Sequence, residues 1–360
     1  MKRTLILENG TVFEGIGLGS EKKEVISEIV FTTGMGGYIE TLTDPSFVKQ
    51  AVVMTYPLMG NYGVMEEDNE SEHPWVSAFI AREICEHENN FRSKGKLNDY
   101  LIKYDIPALV GIDTRALTKM LREKGTMMGL ITTEENVDVN KAVEKIKAAG
   151  IPHDHVSVVS RKEITKHGEN GKYNVALLDY GTKNSIIESL VKRGCNVTVY
   201  PYYTPAEEII KNNPDGIMLS NGPGNPEDCV VAIEELKKLF KTDIPIFAIC
   251  LGHQLLALAN GATTTKLKYG HRGENHPVKD LDENKIYVTS QNHGYMINAE
   301  SLNPEVAVVS HVNVNDNTIE GVRYLGKKAF SVQFHPEACP GPKDTEYLFD
   351  KFIENIKSSK

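Results

Sequence analysis

No run of basic residues stands out in this 360-residue chain, whose formal net charge is −9. A nucleic-acid-binding surface is therefore not expected. No stretch approaches the roughly 20 apolar residues that a membrane-spanning helix needs. The opening Lys2-Arg3 is followed only by Leu5-Ile6-Leu7 before Glu8 intervenes, so no signal peptide is expected either. Cysteine is sparse: Cys85, Cys195, Cys229, Cys250 and Cys339 are odd in number, widely spaced and form no Cys-x-x-Cys pair. That argues against a disulfide framework or a zinc site and fits a reducing cytoplasm. Internal repeats and low-complexity segments are missing as well. The length is enough for two or three domains with substantial cores.

What is present changes character along the chain. Residues 1 to about 151 open with strand-like pieces, Thr4 to Leu7 and Thr11 to Glu14 around an Asn9-Gly10 turn, then Val25 to Thr32 and Gln50 to Tyr56. Helical patterns are read at Val76 to Glu86 and Arg115 to Lys124. Residues 152 to 172, rich in His, Ser, Lys and Gly, read as a linker. From Tyr173 strands and helices alternate: strands Val175 to Leu178, Asn196 to Tyr200, Gly216 to Leu219 and Ile246 to Cys250, and helices Lys183 to Lys192, Pro205 to Lys211 and Asp228 to Phe240. Such alternation predicts a parallel sheet covered by helices. The expected fold class is α/β: a β-rich α/β domain over 1–151, then a mostly parallel sheet flanked by helices over 173–360.

Two segments of the second half carry chemistry. Ile246-Phe247-Ala248-Ile249 is an apolar, β-favouring run that ends on Cys250, and Leu251-Gly252-His253-Gln254 begins a helix. A side chain at that strand-to-helix corner projects from the sheet top beside unpaired helix N–H groups, which favour a thiolate and can bind an oxyanion. Far downstream, His335 and Glu337 flank Pro336 on an extended segment, so both point to the same side. Glu337 can orient His335, and His335 can deprotonate Cys250. A buried structural cysteine and an ordinary His-Pro-Glu turn are the plain alternatives, but neither one predicts the other segment.

In a parallel sheet the site lies beyond the carboxyl ends of the strands. There Ser220-Asn221-Gly222-Pro223-Gly224-Asn225-Pro226 follows the Gly216 to Leu219 strand as a rigid turn whose N–H groups can face a carbonyl. Gln291-Asn292-His293-Gly294-Tyr295 is read as a loop after a strand Lys285 to Ser290, with polar tips suited to a small amide. Other patterns are set aside. Gly321 to Lys328 nearly matches a P-loop but ends in Lys328 instead of Ser or Thr and lies between strands, as a hairpin turn does. Gly15, Gly17 and Gly19 lack dinucleotide spacing. His153-Asp154-His155 reads as a solvated loop, and His271 and His276 are not at the i, i+4 spacing of a helical metal site. No metal is expected.

Cys250-Leu251-Gly252-His253-Gln254, Ser220-Asn221-Gly222-Pro223-Gly224 and His335-Pro336-Glu337 together resemble class I, triad-type glutamine amidotransferases over roughly 173–360. Phe31 to Tyr38, Leu42 to Ser46, Gly111 to Thr118, Tyr269 to Val278 and Pro340-Gly341-Pro342 resemble the small subunit of carbamoyl-phosphate synthase, which extends the likeness to nearly the whole chain. The resemblance implies Cys250 as nucleophile, His335 as base and acid, and Glu337 as its orienting partner. It implies glutamine contacts at Ser46, Gly222, Gly224, Leu251, Gln254, Asn292, Gly294 and Tyr295. The chain departs from the family pattern at Gly36, Ala248 and Tyr295, where threonine, glycine and phenylalanine are usual. The resemblance further implies a glutaminase that needs no cofactor of its own, and a large synthase subunit as partner, carrying ATP and Mg. An amidotransferase subunit of another pathway, or a free-standing glutaminase or γ-glutamyl hydrolase, is the nearest alternative.

Overall fold

The computed structural model describes residues 1–21 and 24–360, which divide into two compact units, Met1–Pro152 and His153–Lys360. In the first, strands β1 (Lys2–Leu7), β2 (Val12–Gly19), β3 (Glu24–Thr32), β4 (Gln50–Met54), β6 (Ala78–Ala81), β8 (Pro107–Val110) and β9 (Met127–Thr132) close into a barrel in the order β1-β2-β8-β6-β4-β3-β9. Short strands β5 (Leu58–Met59) and β7 (Glu83–Ile84) pair beside it. Closure gives every barrel strand two neighbours and removes exposed edges. Leu5 and Ile29 point inward, meeting over Gly129, while Val30, Val52, Phe79 and Ala108, all fully buried, pack against the helices Tyr38–Thr43 and Leu97–Lys103 outside the barrel wall.

Val76 to Glu86 is corrected here: it forms β6 and β7, not a helix. Ala78, Phe79, Ile80 and Ala81 are all buried, because β6 runs parallel to both β4 and β8. A short apolar run covered on both faces shows no alternation, so periodicity cannot separate it from a buried helical turn. The helix read at Arg115 to Lys124 is present as Thr114–Lys124. It is capped by Asp113, whose side chain accepts from the Ala116 N–H at 2.9 Å.

The second unit is built on a sheet that has ten strands among the described residues: β10 (Thr165–His167), β11 (Tyr173–Asp179), β12 (Cys195–Pro201), β13 (Gly216–Leu219), β14 (Ile246–Ile249), β15 (Thr264–Asp280), β16 (Lys285–Ile297), β17 (Ala307–Asn313), β18 (Ile319–Tyr324) and β19 (Ala329–Val332). Their order is β10-β12-β11-β13-β14-β19-β18-β17-β15-β16. From β12 to β19 the neighbours are parallel, so these strands end along one edge. Helices Val230–Leu239 and Leu251–Ala259 cover one face, and Asn184–Val191 and Tyr347–Lys357 the other. Phe247 and Phe330 stack with centroids 4.5 Å apart beneath Phe349, each such ring contributing a few kcal/mol by leaving water.

Three sequence expectations need comment in this unit. Residues 152–172 carry a helix, His155–Val159, and strand β10 paired with β12, and Val156 is buried in the core. Polar composition hid these short elements, which are specified by pairing to distant strands. Residues 291–295 are not a loop, since β16 continues through them to Ile297, paired with β15. Of the Gly321 to Lys328 segment, residues 321–324 lie on β18 and residues 325–328 form the hairpin turn to antiparallel β19.

A cysteine, histidine and glutamate at the strand ends

Cys250 follows β14 directly and precedes the helix Leu251–Ala259, with φ 52° and ψ −105°. A non-glycine residue there is strained, and the strain is sustained by what surrounds it. The Cys250 N–H donates to Val332 O at 2.9 Å and the Gly252 N–H to Ser220 O at 3.0 Å. A Cβ on Gly252 would lie 2.7 Å from Leu219 Cβ and from Leu219 O, so only glycine lets the helix start against the end of β13. The thiol, 2 % exposed, lies 3.7 Å from the Asn292 carbonyl oxygen, to which it donates.

His335 arrives from the end of β19. Its backbone N–H donates to Ser290 O at 2.9 Å, pinning it to β16. The ring Nδ1 lies 2.6 Å from Glu337 Oε1, so Nδ1 carries a proton and donates to the carboxylate. Nε2 is buried with no hydrogen-bond partner among the described residues. Burial disfavours the charged ring, yet Glu337 and Cys250 outweigh it and lift its pKa to about 10. Burial likewise opposes the Glu337 carboxylate, but Lys183 and His335 hold it down to about 2.

Lys183 is the residue that sequence reasoning missed. It was read only as a helix start, but its side chain is 4 % exposed and its Nζ sits 3.1 Å from Glu337 Oε1 and 2.8 Å from Ala338 O. A buried lysine donating to the carboxylate compensates the charge that Glu337 would otherwise bury alone. The available signal was positional: Lys183 lies just past the carboxyl end of β11, beside the ends of β13 and β14.

The remaining expected residues fall as follows. Gln254, on the first turns of the helix, donates through Nε2 to Tyr295 O and to Gln333 Oε1, both at 2.9 Å, tying the helix to β16 and to the segment after β19. Gly222 packs against the Tyr180 carbonyl and the Leu251 side chain, leaving no room for a Cβ. Gly224 has φ 88°, and Asn292 and Gly294 lie on β16. Ser46 belongs to the first unit, where it is buried in the one-turn helix Pro45–Phe47 and its N–H donates to Asp44 Oδ1 at 2.9 Å.

A cysteine at a strained strand-to-helix corner, with a histidine and a carboxylate at neighbouring strand ends, is the arrangement expected of a glutamine amidotransferase domain. Residues 176–355 match the family "Glutamine amidotransferase class-I". Residues 5–131 match "Carbamoyl-phosphate synthase small chain, CPSase domain". The carbamoyl phosphate synthase small chain of Clostridium perfringens is 53 % identical over 354 residues, 98 % of this chain and 99 % of that one. That of Bacillus cereus is 51 % identical over 360 residues, covering 100 % and 97 %. The pyrimidine-specific small chain of Halalkalibacterium halodurans is 48 % identical, covering 100 % and 98 %. The chain belongs to the carbamoyl-phosphate synthase small chain family. Among the described residues no helix is long and apolar enough to cross a membrane.

Proposed function

We propose that this chain is the glutaminase subunit of carbamoyl-phosphate synthase, hydrolysing glutamine and passing ammonia to a large ATP-using chain. The observation that carries this reading is the convergence of Cys250, on its strained corner, with His335, whose far nitrogen is held 2.6 Å from Glu337. Cys250 gives its proton to His335 and attacks the side-chain amide carbon of glutamine. The Leu251 N–H, with an N–H of the Gly222 to Gly224 turn, stabilises the oxyanion. A ring whose pKa is raised to about 10 keeps its proton at neutral pH until the amide nitrogen takes it and leaves as ammonia. Water activated by His335 then cleaves the γ-glutamyl thioester to glutamate and frees the thiol.

Ser46, Gln254, Asn292, Gly294 and Tyr295 are assigned to holding glutamine. No step requires a cofactor on this chain; ATP, Mg and bicarbonate are assigned to the large chain, and the complex to the cytoplasm. The product would serve arginine or pyrimidine synthesis. The test is Cys250→Ser copurified with the large chain. Carbamoyl phosphate formation from glutamine should be lost and formation from free ammonia kept. Glutamine hydrolysis persisting in that variant would remove Cys250 from the mechanism. Failure of the wild-type chain to bind any large ATP-using chain would favour a free-standing glutaminase.

A further inference from the structure

Helical spacing was the wrong criterion for His271, because on strand β15 its cross-strand partner is His293 of β16. Cross-strand partners project side by side from one face of a sheet. Glu320 of β18 joins them, and one ligand atom from each of the three residues lies within 4.8 Å of the other two. All three are buried, Glu320 completely.

The hydrogen bonds show which atoms face inward. His271 Nε2 is 2.8 Å from Asp316 Oδ2, an acceptor, so this nitrogen carries the proton. Nδ1 lies 3.5 Å from Glu320 Oε1 and makes no hydrogen bond among the described residues. His293 Nδ1 is 2.8 Å from Tyr295 O, again an acceptor, so it too carries the proton. His293 Nε2 is left as a lone pair, and it faces a further acceptor, Gln291 Oε1, at 3.0 Å.

Turning the Gln291 amide over does not resolve the confrontation. Its oxygen would then meet Thr289 Oγ1, 3.2 Å away, whose hydroxyl already donates to His276 O at 2.9 Å. The buried oxygen Oε2 of Glu320 has no partner among the described residues either. Glu320 Oε1 also accepts from Asn313 Nδ2 at 3.2 Å, but the buried His271 Nδ1 and Glu320 Oε2, and the facing pair His293 Nε2 and Gln291 Oε1, are left over, and such groups are costly in a protein interior unless a cation accepts them.

We propose that His271 Nδ1, His293 Nε2 and Glu320 form a binding site for a divalent transition-metal ion of the zinc class, with Gln291 Oε1 as an adjacent fourth oxygen. Two imidazoles and a carboxylate are a zinc-type donor set, and ligands ~2.0–2.2 Å from a tetrahedral ion stand roughly 3.3–3.5 Å apart. The 3.5 Å and 3.0 Å separations already approach that. The outward N–H of each histidine is held by a carboxylate or a backbone carbonyl, as metal-ligating histidines usually are. The ion would fasten β15 and β16 to β18. Because neighbouring side chains on a strand face opposite ways, it would sit on the face of β16 opposite the Asn292 side chain. This site is independent of the glutaminase reading.

The test uses the full chain, treated with chelator, loaded with Zn²⁺ alone and dialysed, with bound metal measured by mass spectrometry. About one zinc per chain is expected in the wild type and in Cys250→Ser, which removes the active-site thiol as a ligand. Several-fold less is expected in Glu320→Gln, and independently in His271→Gln should the first variant fold poorly. Zinc should also raise the melting temperature of the chelator-treated wild type and not that of the variants. Co²⁺ in its place should give d–d bands without a thiolate charge-transfer band. Less than a few tenths of a zinc per wild-type chain, equal loading in both variants, or a thiolate band would overturn the proposal.

Discussion

The two units bury polar groups in opposite ways. In the barrel the most deeply buried charge among the described residues, Arg3, is 1 % exposed, and it is held largely by backbone: its guanidinium donates to Leu18 O and Ala108 O at 3.1 Å and to Ser20 O at 2.8 Å. These contacts tie β1 to β2 and β8, neighbours in a closed ring, and serve cohesion. In the open sheet of the second unit, buried Lys183, His335 and Glu337 pair side chain to side chain, and His335 Nε2 and Glu337 Oε2 make no hydrogen bond among the described residues. Closing a sheet uses up its edges, whereas ending parallel strands side by side leaves loops from several strands in one place. The difference teaches where to expect damage to activity and where to expect damage to stability.

The sharpest way to exploit the contrast is to remove the proposed base, His335. His335→Asn should lower glutamine turnover by on the order of 100-fold or more, with the melting temperature changed little in comparison. Glu337→Gln, which leaves the imidazole in place but badly oriented, should cost less turnover than the histidine change. Steady-state kinetics on both variants checks the ranking. Equal losses would mean that Glu337 does more than orient.

Arg3→Met is the converse experiment in the barrel. It strips donors from two buried carbonyls and one partly buried one, and each unsatisfied buried group costs roughly 1–3 kcal/mol, so a loss of several kcal/mol of stability is expected. Turnover per folded molecule should hold. A urea melt together with a glutaminase assay separates the two, and a kcat that falls with no change in the melt would break the division of labour drawn above.

The pH dependence of the second unit sharpens it further. The Glu337 carboxyl has a folded pKa of about 2 against an ordinary 4.5. A depressed carboxylate pKa gives stability that is fully present above the unfolded value and is lost as pH falls through the folded one. The stability gap between wild type and Glu337→Gln should therefore be largest above about pH 4.5 and shrink toward pH 2. Urea titrations at a series of acid pH values measure it. A gap that stays constant would mean that Lys183 and His335 do not hold the carboxylate charged.

How much of this could be read beforehand depended on how local the determinants are. Cys250, with the glycine corner behind it, and His335 with Glu337 are contiguous segments with fixed local geometry, so their placement was legible without the fold. The alternating strands after Tyr173 were legible for the same reason, because each element carries its own period. Lys183 was not, since its partners Glu337 and Ala338 lie far along the chain and only the parallel arrangement of β11 and β19 within the sheet brings them near. The pairing of His271 with His293 is a register fact of two long strands, invisible to spacing along a helix. Val76 to Glu86 failed because a strand buried on both faces offers no alternation to read.

The smallest expected effect tests whether the barrel unit is confined to cohesion. Ser46 sits in the one-turn helix Pro45–Phe47, where Asp44, not Ser46, supplies the cap. Removing its hydroxyl therefore leaves that carboxylate-to-amide bond intact. If the hydroxyl contacts glutamine, it contributes alike to ground and transition states, and Ser46→Ala should raise the glutamine KM more than it lowers kcat. A hydroxyl with only a local structural role would cost about 1 kcal/mol of stability and leave the kinetics alone. Measuring KM and melting temperature on the same preparation decides the point. A raised KM with an unchanged melt would make the first unit part of the active site and end the clean division between the halves. An unchanged KM with a lowered melt would return Ser46 to the barrel's own architecture.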